Sequence, residues 1–276
     1  MGYFNSDWDP DFPPVMHFID LNDSFPKPWV VLSNHPCYDA AKNHEDRAAA
    51  LQLVRDFLET PDNITQLTSL ASRFSDTVIV PIHAIEAHGV NKIPEMLAEY
   101  IGDITGLEVD NTIVQTNRVY RTGSDEIHRF AFRPTYDGEV KKNRPYILVD
   151  DVFAFGGSFN ELRLYIEKNC GKVVQTASMS LGGHGNKIAP EPKYINKLID
   201  RHGADSVSLF LKEIDLYGGN YKALTNPEAY FLGNTPSLDW TRDQILEARQ
   251  AGRPSLGTER NQEDKEIEIK KQGFKR

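Results

Sequence analysis

The stretch Tyr146-Ile147-Leu148-Val149-Asp150-Asp151-Val152-Phe153-Ala154-Phe155-Gly156-Gly157-Ser158-Phe159 decides how the chain is read. An apolar run of strand type meets two adjacent carboxylates, then a Gly-Gly turn, then the start of a helix. Acids at the carboxyl end of a strand lie where open α/β sheets bind ligands. Two of them can accept hydrogen bonds from neighbouring sugar hydroxyls. The turn from Ala154 to Ser158 brings backbone N–H groups to a helix N-terminus, which attracts phosphate. Gly156 and Gly157 allow positive φ and close ligand approach. Ser158 can cap the helix and donate its hydroxyl. The bland alternative is a strand–turn–helix whose acids face solvent. A lone Gly-Gly or Asp-Asp would not separate the two readings, whereas the full ordered set favours a ligand site.

Working outward, Thr77–Ile82 is a β-branched run and reads as a buried strand. Lys92–Ile101 is amphipathic through Ile93, Met96, Leu97, Tyr100 and Ile101. Thr112–Tyr120 and His128–Phe132 alternate like strands, Ser158–Asn169 reads as a helix, and Val173–Leu181 as a strand. Upstream, Trp29–Leu32 is a short run of strand type, while His44–Glu59 and Asn63–Arg73 read as helices, the first closed by Pro61. Downstream, Pro192–Arg201 reads as a helix, Ser206–Leu211 as a last short strand, 216–236 as loop, and Leu238–Arg249 as an amphipathic helix. The alternation from residue 77 onward predicts an α/β fold: a mostly parallel twisted sheet flanked by helices, with extensions at both ends. The expected division is an irregular arm over 1–28, an α/β domain over 29–215, a loop-rich extension with a helix over 216–252, and a charged, disordered tail over 253–276.

Composition narrows the function classes. A net charge of −9 argues against general nucleic-acid binding. It leaves room for a local basic pocket. The two cysteines, Cys37 and Cys170, form no CxxC pair, which fits a reducing compartment and not a structural zinc site. Met1–Pro14 is polar and Pro-rich, unlike a signal peptide, and no apolar run approaches the ~20 residues of a membrane span. A soluble cytoplasmic protein is the expectation.

The segment Ile147–Phe159 resembles the phosphoribosyl-pyrophosphate (PRPP) signature of type I phosphoribosyltransferases: apolar residues, two acids, a short variable loop, Gly-Gly, and Ser or Thr. Val78–His83, a short loop, and Gly89–Ile101 are similar to the pyrophosphate-loop strand, loop and helix of the competence-protein-like branch. The resemblance covers about residues 77–181. It implies that Asp150 and Asp151 form the catalytic pair holding the ribose 2′- and 3′-hydroxyls. It implies that Ala154, Phe155, Gly156, Gly157 and Ser158 cradle the 5′-phosphate, and that Ala84, Ile85, Glu86, Ala87 and His88 form the pyrophosphate loop. Mg²⁺ would come with PRPP and touch Asp150 and Asp151 at most. The implied ligands are PRPP or a nucleoside monophosphate and a small nitrogenous acceptor, which receives ribose 5-phosphate. A mobile loop or hairpin carrying Arg121 and Arg129, with Arg118 and Arg133 beside them, would close over the diphosphate. The bland reading of that hairpin is an exposed ribbon. His184 and Lys187 would lie on the acceptor side, in a Gly-rich stretch that otherwise reads as a linker. Dimers are common in the family, and the terminal extensions are candidate surfaces for a protein partner.

Two departures from the family pattern bear on catalysis. Phe155 stands where a Thr or Ser is usual, and Glu86 and His88 stand in a loop where many relatives place Lys or Arg. An acid beside pyrophosphate is unfavourable unless a metal bridges it. These departures leave open a second reading: a protein that keeps the fold and the nucleotide pocket but acts as a regulatory or partner-binding module.

Overall fold

The computed structural model describes residues 6–19, 27–83, 85–86, 89–119, 124–183 and 185–252. Ala84, Ala87, His88, Arg121, His184 and the tail over 253–276 lie outside the described residues, and of Ile85 and Glu86 only the backbone is described.

The chain opens with β1 (Met16–His17) and four helices: α1 (Pro28–Ser33), α2 (Tyr38–Asn43), α3 (Arg47–Leu58) and α4 (Pro61–Arg73). Next come β2 (Val78–Pro81), the small ribbon β3 (Ile85–Glu86) and β4 (Gly89–Val90), then α5 (Ile93–Thr105) and β5 (Glu108–Val109). A second ribbon, β6 (Val114–Gln115) with β7 (Tyr136–Asp137), encloses α6 (Glu126–Ala131). The motif itself is β8 (Pro145–Phe153) followed by α7 (Gly157–Lys168), and β9 (Lys172–Leu181) completes the main sheet. Helices α8 (Pro192–His202), α9 (Ala204–Glu213), α10 (Asn226–Asn234) and α11 (Leu238–Ala251) follow.

The five-stranded sheet runs in the order β1-β9-β8-β2-β5, and every pairing in it is parallel. The α/β architecture is therefore as the alternation predicted. Both faces of the sheet are covered, which is why its strands read as continuous apolar runs. Successive residues alternate between the two cores. Ile79, Ile147, Val149, Ala177 and Met179 pack against α1–α5. Val78, Val80, Tyr146, Leu148, Phe153 and Leu181 pack on the other side with α7 and the N-terminal Trp8 and Val15. A third core, built from α6 and α8–α11, closes round Phe155.

Several expected elements take another form. Trp29–Leu32 belongs to α1, because Pro28 at its first turn presets helical φ and outweighs the two valines. His128–Phe132 falls mostly in α6, whose start is fixed by the Asp125 carboxylate accepting from the His128 N–H at 2.7 Å. Ser206–Leu211 lies in α9: Val207, Phe210 and Leu211 are buried at helical spacing while Leu209 is exposed. Within 216–236, α10 starts at a capping box in which Thr225 and Glu228 satisfy each other's backbone. Of the described residues in 112–119, Val114–Gln115 is the part paired as a strand. The 1–28 segment is not wholly irregular, since Met16–His17 adds an edge strand to β9.

Topology places the site. From β2 the chain steps to β5 on one side, then returns to β8 on the other, so the strand order reverses between β2 and β8. The crevice outside the carboxyl ends at such a reversal is where open α/β sheets bind ligands. Here β2 stops at Pro81 opposite Val149. On the other side β8 continues to pair with β9, Asp150 opposite Ser178 and Val152 opposite Ser180. The two acids thus stand where their neighbour on the β2 side has ended.

Candidate functional site

A cavity of about 470 Å³ opens at this point. It brings together Asp150, Asp151 and the Ala154–Ser158 loop, with Arg129 from α6 and Gln115 from the ribbon. Trp29, Ser33, Tyr38 and Lys42 reach it from α1 and α2, and Asn91 from the start of α5. Lys187 is not in its wall; it is exposed and lies 3.5 Å from Glu191.

The two carboxylates differ in their surroundings. Asp151 is buried, and its Oδ2 accepts from Lys42 Nζ at 2.6 Å and from Asn91 Nδ2 at 2.8 Å. The Asn91 amide is held in that orientation because its Oδ1 accepts the Ile93 N–H at 3.1 Å, at the start of α5. The Lys92 N–H donates to the Ala41 carbonyl at 3.0 Å, tying the start of α5 to α2 and so setting Asn91 beside Lys42. Burial alone would raise the Asp151 pKa, but the Lys42 ammonium and the Asn91 amide overcome it and hold the group below the usual carboxylate value. Among the described residues no ion pair to Asp150 is seen, and the nearby Lys42 charge only partly opposes the rise in its pKa. Burial, then the Asp151 charge, push its pKa well above the ordinary value, although its Oδ1 accepts the Asp151 N–H at 2.8 Å. The site thus pairs one fixed carboxylate with one that holds its proton more tightly.

The Ala154–Ser158 loop is fixed from behind. Gly156 has φ +80°, the left-handed conformation that favours glycine, and no side chain caps α7. A Cβ on Gly157 would come within 2.6 Å of the Arg133 guanidinium. That guanidinium bonds Glu161 at 2.8 Å and Glu228 at 2.6 Å, and also the Tyr217 hydroxyl. Burial opposes its charge, yet Tyr217, Glu228 and Glu161 raise its pKa well above the ordinary value. Arg133 is therefore a structural cation under the loop and not part of a hairpin over a diphosphate. Arg129 sits on α6 rather than on a hairpin, with its Nε donating to the Ser124 carbonyl at 3.2 Å. Among the described arginines of that set, it is the one that lines the cavity. His83, at the end of β2, has its pKa lowered by burial and by Lys92, which favours the neutral imidazole.

Phe155 resolves one departure from the family pattern. Its ring is only 2% exposed and sits edge-on to Phe130 at 5.3 Å and to Phe231 at 6.2 Å. Its carbonyl accepts from Thr225 Oγ1 at 2.8 Å. Phe155, which stands where the resemblance led to a hydroxyl being expected, anchors the loop to the third core. Phe155→Thr is accordingly expected to cost about 3–5 kcal/mol by emptying that packing. Urea unfolding measures it, and unchanged stability would contradict the packing role.

Magnesium was expected to reach Asp150 and Asp151 through the ligand. The donors round Asp151 do not suit a divalent ion there: an ammonium and an amide N–H already share Oδ2, and Mg²⁺ demands oxygen ligands in near-octahedral array. Among the described residues, no three of His, Cys, Asp and Glu gather as a metal-binding group.

Sequence reasoning missed Lys42, Asn91 and the α1–α2 wall. Lys42 carries no motif and lies 109 positions from Asp151. Asn91, placed just before an amphipathic helix, did carry a capping signal.

No protein-family model matches the chain. It is 40% identical over 250 residues to the protein TraN of Escherichia coli, a match that takes in 91% of this chain and 53% of TraN. It is 36% identical over 165 residues to an uncharacterized protein of Haemophilus influenzae, taking in 59% of this chain and 34% of that protein. The chain therefore spans about half, or less, of the length of these curated relatives. Similar solved structures include the adenine phosphoribosyltransferase of Leishmania tarentolae, at 16% identity and a TM-score of 0.29, covering 54% of this chain and 76% of that one. The orotate phosphoribosyltransferase of Aeropyrum pernix is also 16% identical, with a TM-score of 0.28, covering 52% of this chain and 65% of that one. Among the described residues, no helix is long and apolar enough to cross a membrane.

Proposed function

We propose that this protein is a cytoplasmic phosphoribosyltransferase-like enzyme that binds PRPP, or a nucleoside monophosphate, and transfers ribose 5-phosphate to a nitrogenous acceptor. The observation that carries the reading is the meeting, in one cavity, of Asp150 and Asp151 with the Gly156–Ser158 helix start. The carboxylates accept the ribose hydroxyls, and the loop amides with Ser158 take the 5′-phosphate. Arg129 is the cavity-lining arginine suited to the leaving diphosphate. Trp29 and Tyr38 offer aromatic faces to a planar acceptor on the same wall.

A second reading, a nucleotide-binding protein without turnover, is favoured by one observation. Arg133 is engaged with Glu161 and Glu228 beneath the loop, so stabilisation of developing diphosphate charge rests on fewer cations than the sequence promised.

Calorimetric titration with PRPP separates these readings when followed by a pyrophosphate-release assay across a panel of bases. Binding that falls at least about tenfold in the Asp150→Asn, Asp151→Asn double variant is the expected result, since two charge-assisted hydrogen bonds are lost. Binding without pyrophosphate release selects the second reading. No binding of PRPP or of any nucleoside monophosphate would sink both.

A further inference from the structure

We propose that Lys42 is a built-in counter-cation of the sugar site: its ammonium does on Asp151 what a divalent ion would otherwise do, so that the phosphosugar end of the ligand binds without magnesium. The inference rests on the phosphosugar reading above.

The geometry is specific. Lys42 Nζ lies 2.6 Å from Asp151 Oδ2, and both side chains are about nine-tenths buried. Asn91 donates to the same oxygen. A carboxylate offers about four lone-pair sites. The two donors take Oδ2, which leaves Oδ1 to a ribose hydroxyl and gives a hydrated metal ion no place on the oxygen that Lys42 holds. A divalent ion brought against Oδ2 would also meet the ammonium across the same oxygen, and like charges repel strongly at such range in a partly dry site.

Lys42 comes from α2, outside the strand–loop–helix motif. It is held there by helix packing through the buried Ala41 and by the Lys92–Ala41 backbone bond. Lys42 touches no reacting atom in this account; it is a positioning residue that fixes the charge and orientation of Asp151.

The test is calorimetric titration of the full chain with ribose 5-phosphate, in excess Mg²⁺ and in EDTA. The wild-type dissociation constant is expected to differ by less than about threefold between the two buffers. Lys42→Met is expected to weaken binding in EDTA by about tenfold or more, the usual loss for a charge-assisted pair, with part of the loss restored by Mg²⁺ entering the vacated place. A merely structural lysine would give a loss that Mg²⁺ does not mend. Lys42→Arg keeps the charge and serves if Lys42→Met fails to fold; it is expected to bind in EDTA within about tenfold of wild type, its fork fitting the site less well than an ammonium.

A wild-type protein that binds ribose 5-phosphate only with Mg²⁺ overturns the inference and leaves the phosphosugar reading standing. So does a Lys42→Met protein that binds like wild type, or one whose loss ignores Mg²⁺. A wild-type protein that binds no ribose 5-phosphate in either buffer overturns the phosphosugar reading and this inference with it.

Discussion

Arg133→Met is expected to destabilise the protein by about 3–5 kcal/mol, the usual cost of breaking a buried ion pair from one side. For a chain of this size that is a fall in melting temperature of roughly 6–20 °C. The reason lies in what the substitution leaves behind. The Glu228 side chain is fully buried and bonds the guanidinium at 2.6 Å, so its charge would lose its partner without gaining water. Glu161 and Tyr217 would each lose a bond too. The damage reaches the ligand loop by a short route. Glu228 Oε2 accepts the Thr225 N–H at 2.8 Å, and Thr225 Oγ1 in turn donates to the Phe155 carbonyl at 2.8 Å. Gly157 itself lies over the guanidinium. Differential scanning calorimetry measures the fall. Adding Glu228→Leu to Arg133→Met is expected to restore most of it, because replacing both partners removes the uncompensated charge. A loss below about 1 kcal/mol would mean that the network is solvated and contributes little.

That network also explains why part of the site was legible in the sequence and part was not. The run from Tyr146 to Phe159 could be read directly, because strand, acids, turn and helix start are local and each has its own residue signature. The neighbouring Thr77–Ile82 strand was legible for the same reason. What surrounds them depends on tertiary placement. Phe155 looked like an intrusion into a phosphate loop, and only its contacts with Phe130 and Phe231 make it an anchor. Arg133 looked like a mobile cation, and only Glu161 and Glu228 make it a fixed one. The short elements misread as strands, 29–32, 128–132 and 206–211, were each decided by a feature smaller than the apolar pattern: a first-turn Pro28, the Asp125 cap, or helical spacing in a window too short to separate the two periods. The Thr225–Glu228 capping box was visible in the sequence all along and marks the start of α10 within the stretch read as loop.

Asp150→Asn and Asp151→Asn are expected to move stability in opposite directions while both weaken ligand binding. Asp150 has its pKa well above the ordinary value through burial and the Asp151 charge. Its folded form therefore holds the proton more tightly than the unfolded chain does. Below the unfolded pKa this costs nothing; as pH rises from there toward the raised folded pKa, stability is lost. Removing the charge should recover that loss near neutral pH, with the gain shrinking as pH falls toward about 4. Asp151 behaves in the reverse sense. Its pKa is lowered, so its contribution is present above the unfolded pKa and fades as pH falls through the folded one. Asp151→Asn leaves the buried Lys42 ammonium without its carboxylate and should cost about 3–5 kcal/mol near neutral pH. On the proposed reading each variant also loses a charged acceptor for a ribose hydroxyl, a fall of roughly tenfold or more in affinity for PRPP. Urea unfolding of the three proteins between about pH 4 and pH 8, with calorimetric titration at neutral pH, tests the whole set. Two variants that shift stability the same way would contradict the division of the pair into a fixed and a strained carboxylate, and so would an Asp150→Asn gain that does not shrink in acid. A stable Asp150→Asn protein that no longer binds would mark Asp150 as a residue kept against the interest of the fold. That is the pattern expected where a half-buried charge is retained for its ligand and not for packing.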